Sequence, residues 1–319
     1  MSAGEYYVGV DIGGTSTKMG IIGDDGVILR KRNFESNLFD QPDDFLNRLS
    51  TEIEELVGRE IDFSEVRGIG IGAPTANYHT GRIEGPANLK WSEPLDVKSY
   101  LEVLWGIDVF VTNDANLAAL GELYFGEGQR FSDLVVVTIG TGIGAGIISK
   151  GALLHGVDDL AGELGHLTII PDGRQCSCGK KGCLEAYVSV RGIQQTYCEL
   201  TDCDEAPSPL EIYKKATQHD KSSSVAIGQT GYYLGLGLAN LAVILAPQCI
   251  VLSGGLANMG EALLAPVQRS FEQNLLTNLK GKVRLSVSTY KDNELSLLGT
   301  AALVRDNFMN DKILKAANK

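Results

Sequence analysis

Residues 6–22, YYVGVDIGGTSTKMGII, hold an apolar run from Tyr6 to Ile12 that leads into the pair Gly13-Gly14, and a second run from Lys18 to Ile22. Gly23-Asp24-Asp25-Gly26 then turns the chain, so the segment reads as consecutive hairpin strands with a glycine turn between them. Adjacent glycines let a backbone approach a ligand closely, and Gly13, Gly14, Thr15, Thr17 and Lys18 expose amides, hydroxyls and a cation to phosphate oxygens. Asp11, near the strand's end, is placed to hold magnesium through water. Taken alone, the turn equally suits an ordinary tight hairpin.

Outward from this turn, QPDDFLNRLSTEIEEL (residues 41–56) spaces Phe45, Leu46, Leu49, Ile53 and Leu56 for one face of a helix, and Val66 to Ile71 returns to strand character. The pattern of strand, glycine turn and strand then recurs: Leu134 to Ile139, the turn Gly140 to Gly146, and a short strand over Ala145 to Ile148. A third strand, Cys249 to Leu252, runs into Ser253-Gly254-Gly255, and the apolar stretch from Tyr232 to Leu245 before it reads as a buried helix. Gly140-x-Gly142-x-x-Ala145 satisfies the dinucleotide fingerprint only formally, because strand and turn follow it where that fingerprint needs a helix. Two related glycine turns, each joining strand to strand, instead suggest two related domains holding one phosphate chain through Thr141, Gly142 and the first turn.

The 319 residues suffice for two domains, with a cleft expected between them. A composition 44% hydrophobic and 21% charged is that of a globular chain. Lys and Arg number 28 against 40 Asp and Glu, a net charge of -12, which disfavours a general role on nucleic acid or anionic membrane. The N-terminus lacks the pattern of a signal peptide and no segment approaches 18 uninterrupted apolar residues, so an unexported cytoplasmic protein is expected.

Val111-Thr112-Asn113-Asp114 ends a strand (Asp108 to Val111) and precedes a helix expected over Ala115 to Tyr124. A carboxylate there can take the proton of a hydroxyl acceptor, while either residue can equally cap the helix. Of the six cysteines, Cys176, Cys178 and Cys183 crowd together after Ala161-Gly162-Glu163-Leu164-Gly165-His166. Three cysteines and a histidine make a closed tetrahedral zinc set, hence a structural one, with reduced thiols as the alternative. Glu163 and Glu185 flank this set; each is either a solvated residue or an acceptor of two ligand hydroxyls. Cys198, Cys203 and Cys249 are expected as reduced thiols. Gly254-Gly255 alone reads as a turn.

Together these motifs resemble the sugar kinase, actin and heat-shock ATPase superfamily, and within it the ROK (repressor, ORF, kinase) family, from DIGGTSTK to the terminal ELSLLGTAAL. The resemblance implies an α/β chain of two ribonuclease-H-like domains, divided here as residues 1–114 plus 297–319 and residues 115–296, with ATP and a hexose meeting in the cleft. It implies that Asp114 is the base and that Asn88, Asn113, Asp114, Glu163, His166 and Glu185 hold the sugar, His166 using one ring nitrogen for zinc. Cys176, Cys178 and Cys183 complete the zinc site. Asp11, Gly13, Gly14, Thr15, Thr17, Lys18, Thr141, Gly142, Gly254 and Gly255 serve ATP and its magnesium, and Trp91 packs the loop that carries Asn88.

Glucose is the first substrate this implies, with N-acetylmannosamine, N-acetylglucosamine, fructose and mannose as alternatives, in a homodimer or larger homo-oligomer without nucleic-acid or membrane partners. Thr75 departs from the family, which has glycine at that point of Gly-x-Pro-Gly, and its bulk bears on the sugar pocket. ROK repressors share the zinc and sugar motifs but carry a further N-terminal helix-turn-helix domain. With the phosphate turn starting at Asp11, an enzyme is expected.

Overall fold

The structure, a computed structural model, describes residues 6–59, 61–85 and 89–317. Contacts divide it into two units: one runs to Gln129, takes in Leu153–Ala161 and resumes at Tyr290, and the other comprises Arg130–Ala152 and Gly162–Thr289.

The first unit opens with β1 (Tyr6–Ile12), β2 (Ser16–Gly23) and β3 (Ile28–Glu35), followed by α1 (Pro42–Val57) and β4 (Val66–Gly72). A small hairpin, β5 (Ala76–Asn77) and β6 (Arg82–Ile83), leads to α2 (Val97–Trp105), β7 (Val109–Thr112) and α3 (Asp114–Phe125). The sheet order is β3-β2-β1-β4-β7. β1 runs antiparallel to β2, with Asp11 opposite Lys18, and parallel to β4, which is parallel to β7. Val8, Val10, Ile69, Ile71 and Val111 are buried in one cluster and Tyr7 and Ile22 in another, as expected of strands covered on both faces. α1 starts on Pro42 with Asp43 and Asp44 in its first turn, a start that suits the helix dipole, and buries Phe45, Leu46, Leu49, Ile53 and Leu56, the apolar face expected of it. Trp91 packs in this core, its ring 5.2 Å from that of Phe45.

The second unit carries β8 (Leu134–Ile139) and β9 (Ile143–Ser149), then β10 (Ala152–Leu153) at its border. α4 (Glu185–Val188), α5 (Val190–Thr201), α6 (Pro209–Thr217) and α7 (Lys221–Leu245) lead to β11 (Cys249–Ser253), α8 (Glu261–Asn274) and β12 (Arg284–Val287). Its sheet, β10-β9-β8-β11-β12, repeats the plan of the first: an antiparallel hairpin at β8 and β9, then parallel pairs of β8 with β11 and β11 with β12. The glycine turns between β1 and β2 and between β8 and β9 therefore hold equivalent places. β9 begins at Ile143, so the second turn is shorter than the expected Gly140 to Gly146.

Finally α9 (Asp292–Ala317) returns to the first unit, where Leu298, Ala301 and Val304 pack with Tyr7 and Ile22. The Tyr124 hydroxyl donates to Asp306 at 2.8 Å, fastening α3 to α9. α3 thus belongs with the first unit, and the division expected after residue 114 lies instead after Gln129. α7 is also longer than the stretch expected from Tyr232: Asp220 caps it by accepting the Ser223 N–H at 2.7 Å, and buried Ser223, Ala226 and Ile227 carry a segment whose serines argue weakly for helix. Cys198 and Cys203, expected as reduced thiols, are instead disulfide-bonded across the end of α5, where Asp202 in the left-handed conformation brings their Cα atoms to 4.7 Å. No described helix is long and apolar enough to cross a membrane.

Candidate active site

In the first unit the parallel strands β1, β4 and β7 end along one edge of the sheet, the side where α/β sheets gather ligands. Asp11 comes to this edge from β1. Its Oδ2 accepts the Ser296 hydroxyl at 2.8 Å, a partner from α9 that no spacing in the sequence announces. Burial raises the Asp11 pKa above its ordinary value; the Ser296 hydrogen bond and the Lys18 charge pull it down, and the nearby Asp114 charge pushes it up. The charge of the candidate base therefore reaches Asp11 within this unit.

Asp114 is the first residue of α3, and its Oδ1 accepts the Ala115 N–H at 3.0 Å. The protein around it raises its pKa, with the Ala115 N–H acting the other way, although its surface is open to solvent. An acid set among protein atoms but reachable by a small ligand has both properties, and a base for a bound hydroxyl needs both. Asn113 is the helix cap, its Oδ1 accepting the Asn116 N–H at 2.8 Å. Capping uses only the carbonyl end of that amide, so the NH2 end is left to serve a ligand.

Around the first glycine turn, the Gly13 N–H donates to the Ser16 carbonyl at 3.1 Å, and Gly14 and Thr15 form the bend to β2. Thr17, expected to face phosphate, is fully buried and its hydroxyl pairs with that of Ser36 at 2.8 Å. Strand alternation sends Thr17 to the opposite face from Ser16 and Lys18, so its side chain is not offered to a ligand. Asn88 lies outside the described residues.

The second unit brings Glu185, Gly142 and the cysteines together. Glu185 Oε2 accepts the Ile143 N–H at 3.1 Å, and Oε1 accepts the Ser177 hydroxyl at 3.1 Å. A Cβ on Gly142 would stand 2.7 Å from Glu185 Oε2, so the turn needs glycine there to admit the carboxylate. Thr141 is exposed beside it. Gly162 has φ 91, and a Cβ on it would stand 1.7 Å from the Ala145 carbonyl. Only glycine therefore lets the chain lie against β9 and deliver Glu163 one residue later. After β11, Gly254 (φ 97) is pressed against the end of β8, while Gly255 faces open space.

His166, Cys176, Cys178 and Cys183 place one donor atom each within 4.8 Å of one another. Cys178 Sγ lies 3.7 Å from Cys183 Sγ, and Cys176 Sγ 3.7 Å from His166 Nδ1. A tetrahedron with metal–sulfur bonds of about 2.3 Å has edges of about 3.8 Å, so the donor set fits a zinc-sized cation. Burial pushes the Cys183 thiol up to about 12, and hydrogen bonds with Cys176 and Cys178 act in the same direction. A cation among these sulfurs is what would let them be thiolates together. With Nδ1 turned to the cysteines, His166 Nε2 faces outward, 3.7 Å from Glu163 Oε2.

A model described as the ROK family matches residues 7–307. The chain is 35% identical to a glucokinase of Halalkalibacterium halodurans over 315 residues, covering 94% of this chain and 95% of that protein. It is 29% identical to a xylose repressor of Bacillus subtilis, covering 96% of this chain and 78% of the repressor. Among solved structures it superposes on a ROK family glucokinase from Streptomyces griseus in complex with glucose and AMPPNP, with a TM-score of 0.78 at 28% identity, covering 94% of this chain and 99% of that one.

Proposed function

The chain belongs to the ROK family, and from that premise we propose that it transfers the γ-phosphoryl group of ATP to a hexose, glucose first, giving glucose 6-phosphate. The observation that carries this reading is the placement of Asp114 beside Asp11: an open, protein-surrounded carboxylate at the start of α3 whose charge reaches the acid beside the first glycine turn.

Asp114 accepts the proton of the 6-hydroxyl as its oxygen bonds to phosphorus and the bond to the ADP oxygen breaks. Asn113, with Glu163, His166 through Nε2, and Glu185, holds the other hydroxyls, and Asn88 joins them by family likeness. Asp11 holds the substrate's magnesium through water. Gly13, Gly14, Thr15 and Lys18, and Thr141 and Gly142, hold the phosphates, and Gly254 and Gly255 lie under the adenosine. With so little covalent chemistry asked of the protein, positioning and charge supply most of the rate. Zinc is the cation read for His166, Cys176, Cys178 and Cys183; a closed set of four protein ligands supplies rigidity, fixing Glu163 and Glu185 from either side, and no reactive position. The same reading has the protein act in the cytoplasm as a homodimer or larger homo-oligomer, without nucleic-acid or membrane partners.

The test is ADP release, coupled to a dehydrogenase, with MgATP and a panel of glucose, mannose, fructose, N-acetylglucosamine and N-acetylmannosamine. Glucose-dependent turnover that Asp114→Asn abolishes supports the reading. The likeness to a xylose repressor favours a second reading, a sugar sensor without turnover. Sugar binding with no ADP release from any of the five would establish that one instead.

A further inference from the structure

Asp159 is 3% exposed and gathers partners from four places in the first unit. Its Oδ1 lies 2.7 Å from His155 Nδ1 and accepts from Asn116 Nδ2 at 3.3 Å. Its Oδ2 accepts the Tyr78 N–H at 3.1 Å and the Thr112 hydroxyl at 3.4 Å. Asn116 Nδ2 also donates to Thr112 Oγ1 at 3.1 Å, which closes a ring of polar contacts around one buried carboxylate. Among the described residues His155 is the basic side chain that meets it, and the His155 imidazole is stacked on Tyr78 at 4.0 Å.

Three features show that this cluster is held in place against a cost. A buried carboxylate is tolerated only with its hydrogen bonds made. Asp158 and Asp159 both have positive φ, 50° and 60°, a conformation that resists any side chain. The Asn116 carbonyl makes no hydrogen bond in the described structure; reversing the amide to help it would set that oxygen against the carboxylate.

The two side chains that Asp159 grips flank Asn113 and Asp114. Thr112 is the last residue of β7, and Asn116 is the residue whose N–H Asn113 caps. We infer that Asp159 is a positioning residue for the reaction: by holding Thr112 and Asn116 it sets the direction in which Asp114 leaves the first turn of α3, and His155 holds Asp159 in turn. This inference rests on the reading of Asp114 as the base. Asp159 itself touches neither sugar nor nucleotide in it.

The experiment is a double-mutant cycle of Asp159→Asn and Asp114→Asn, measured as kcat and KM with MgATP and the best sugar of the panel. Misplacement by about an ångström costs on the order of a hundred-fold, so Asp159→Asn is expected to lower kcat at least ten-fold while KM for MgATP moves less than about two-fold. In the Asp114→Asn background, with the positioned group already removed, Asp159→Asn is expected to change the residual kcat by less than about two-fold, the usual limit of independent behaviour. Unchanged kcat in the single variant, or the same fold loss in both backgrounds, overturns the inference. Full turnover by Asp114→Asn alone would instead refute the base and the inference with it. Thr112→Val, which deletes one donor at nearly constant shape, repeats the cycle should Asp159→Asn not fold, with a smaller loss and the same non-additivity expected.

Discussion

The Glu185 carboxylate accepts the backbone N–H of Ile143 at 3.1 Å, which ties the residue two places after Cys183 to the second glycine turn. In the proposed function this one side chain links the sugar contacts to the nucleotide contacts. Glu185→Gln keeps the shape but weakens a charged hydrogen bond, so KM for both glucose and MgATP is expected to rise, sugar by about ten-fold or more. Gly142→Ala, whose Cβ would crowd the same carboxylate, is expected to move both constants in the same direction. Steady-state kinetics with each substrate varied would decide, and a change confined to one substrate would break the link.

Asp114→Asn is expected to lower kcat by about 10²- to 10⁴-fold, the range typical for a general base. It should not lower the melting temperature, because the substitution removes a charge whose surroundings disfavour it. Calorimetry beside kinetics makes the comparison; parallel loss of stability and activity would mark Asp114 as structural.

The pH dependence follows in sign from the protein atoms set around these two carboxyls. Asp11 and Asp114 both have raised pKa values, so the folded chain holds these protons more tightly than the unfolded chain. Stability from this source is present at acid pH and is lost as pH climbs from the ordinary Asp value of about 3.9 through the raised values. Turnover runs the opposite way, since only ionised Asp114 is a base: kcat falls on the acid side with a midpoint above about 3.9. Asp114→Asn should flatten its share of the stability profile, and an acid limb of kcat at the ordinary value would contradict the assignment.

The cysteine site is expected to hold one zinc per chain. Stripping it with a strong chelator, or Cys183→Ser, should lower the melting temperature and raise KM for glucose, because Glu163 and Glu185 lose their common anchor. Elemental analysis by mass spectrometry reads the metal directly. A purified chain with no stoichiometric metal, indifferent to chelation, would leave these residues as thiols only.

Thr75 has φ 58, an unfavourable conformation for a β-branched residue. Thr75→Gly removes about 1–2 kcal/mol of left-handed strain and adds about 0.5–1 kcal/mol of unfolded-state entropy. A small gain in denaturation midpoint is expected, and a loss would mean that the threonine side chain makes a compensating contact. The sugar panel repeated on this variant tests whether Thr75 also restricts the substrate.

Local patterns were legible in the sequence because local physics sets them. The run from Tyr6 to Ile12 and the glycine pair are enough for a strand and a turn, and the spacing of Phe45, Leu49, Ile53 and Leu56 is enough for α1. His166 and the three cysteines were legible because donor chemistry is written in residue type. What stayed hidden depends on partners distant in sequence. Ser296 reaches Asp11 from α9, and Asp159 meets Thr112 and Tyr78 only once the chain is folded. Thr17 was misjudged because strand alternation, which residue type does not encode, turned it inward. The boundary after Gln129 was missed because α3 takes its side from its packing on α9.

The return of α9 has a consequence for how the protein is made. Synthesis proceeds from the N-terminus, and domains generally fold as units when their residues have emerged. Residues 130–289 contain the whole second unit, interrupted only by the short segment 153–161, which belongs to the first. The first unit, although begun earliest, keeps Tyr7 and Ile22 uncovered until Leu298, Ala301 and Val304 leave the ribosome. Asp11 likewise waits for Ser296, so a nascent chain displays its opening strands unfinished through most of translation and is most exposed to misassociation there.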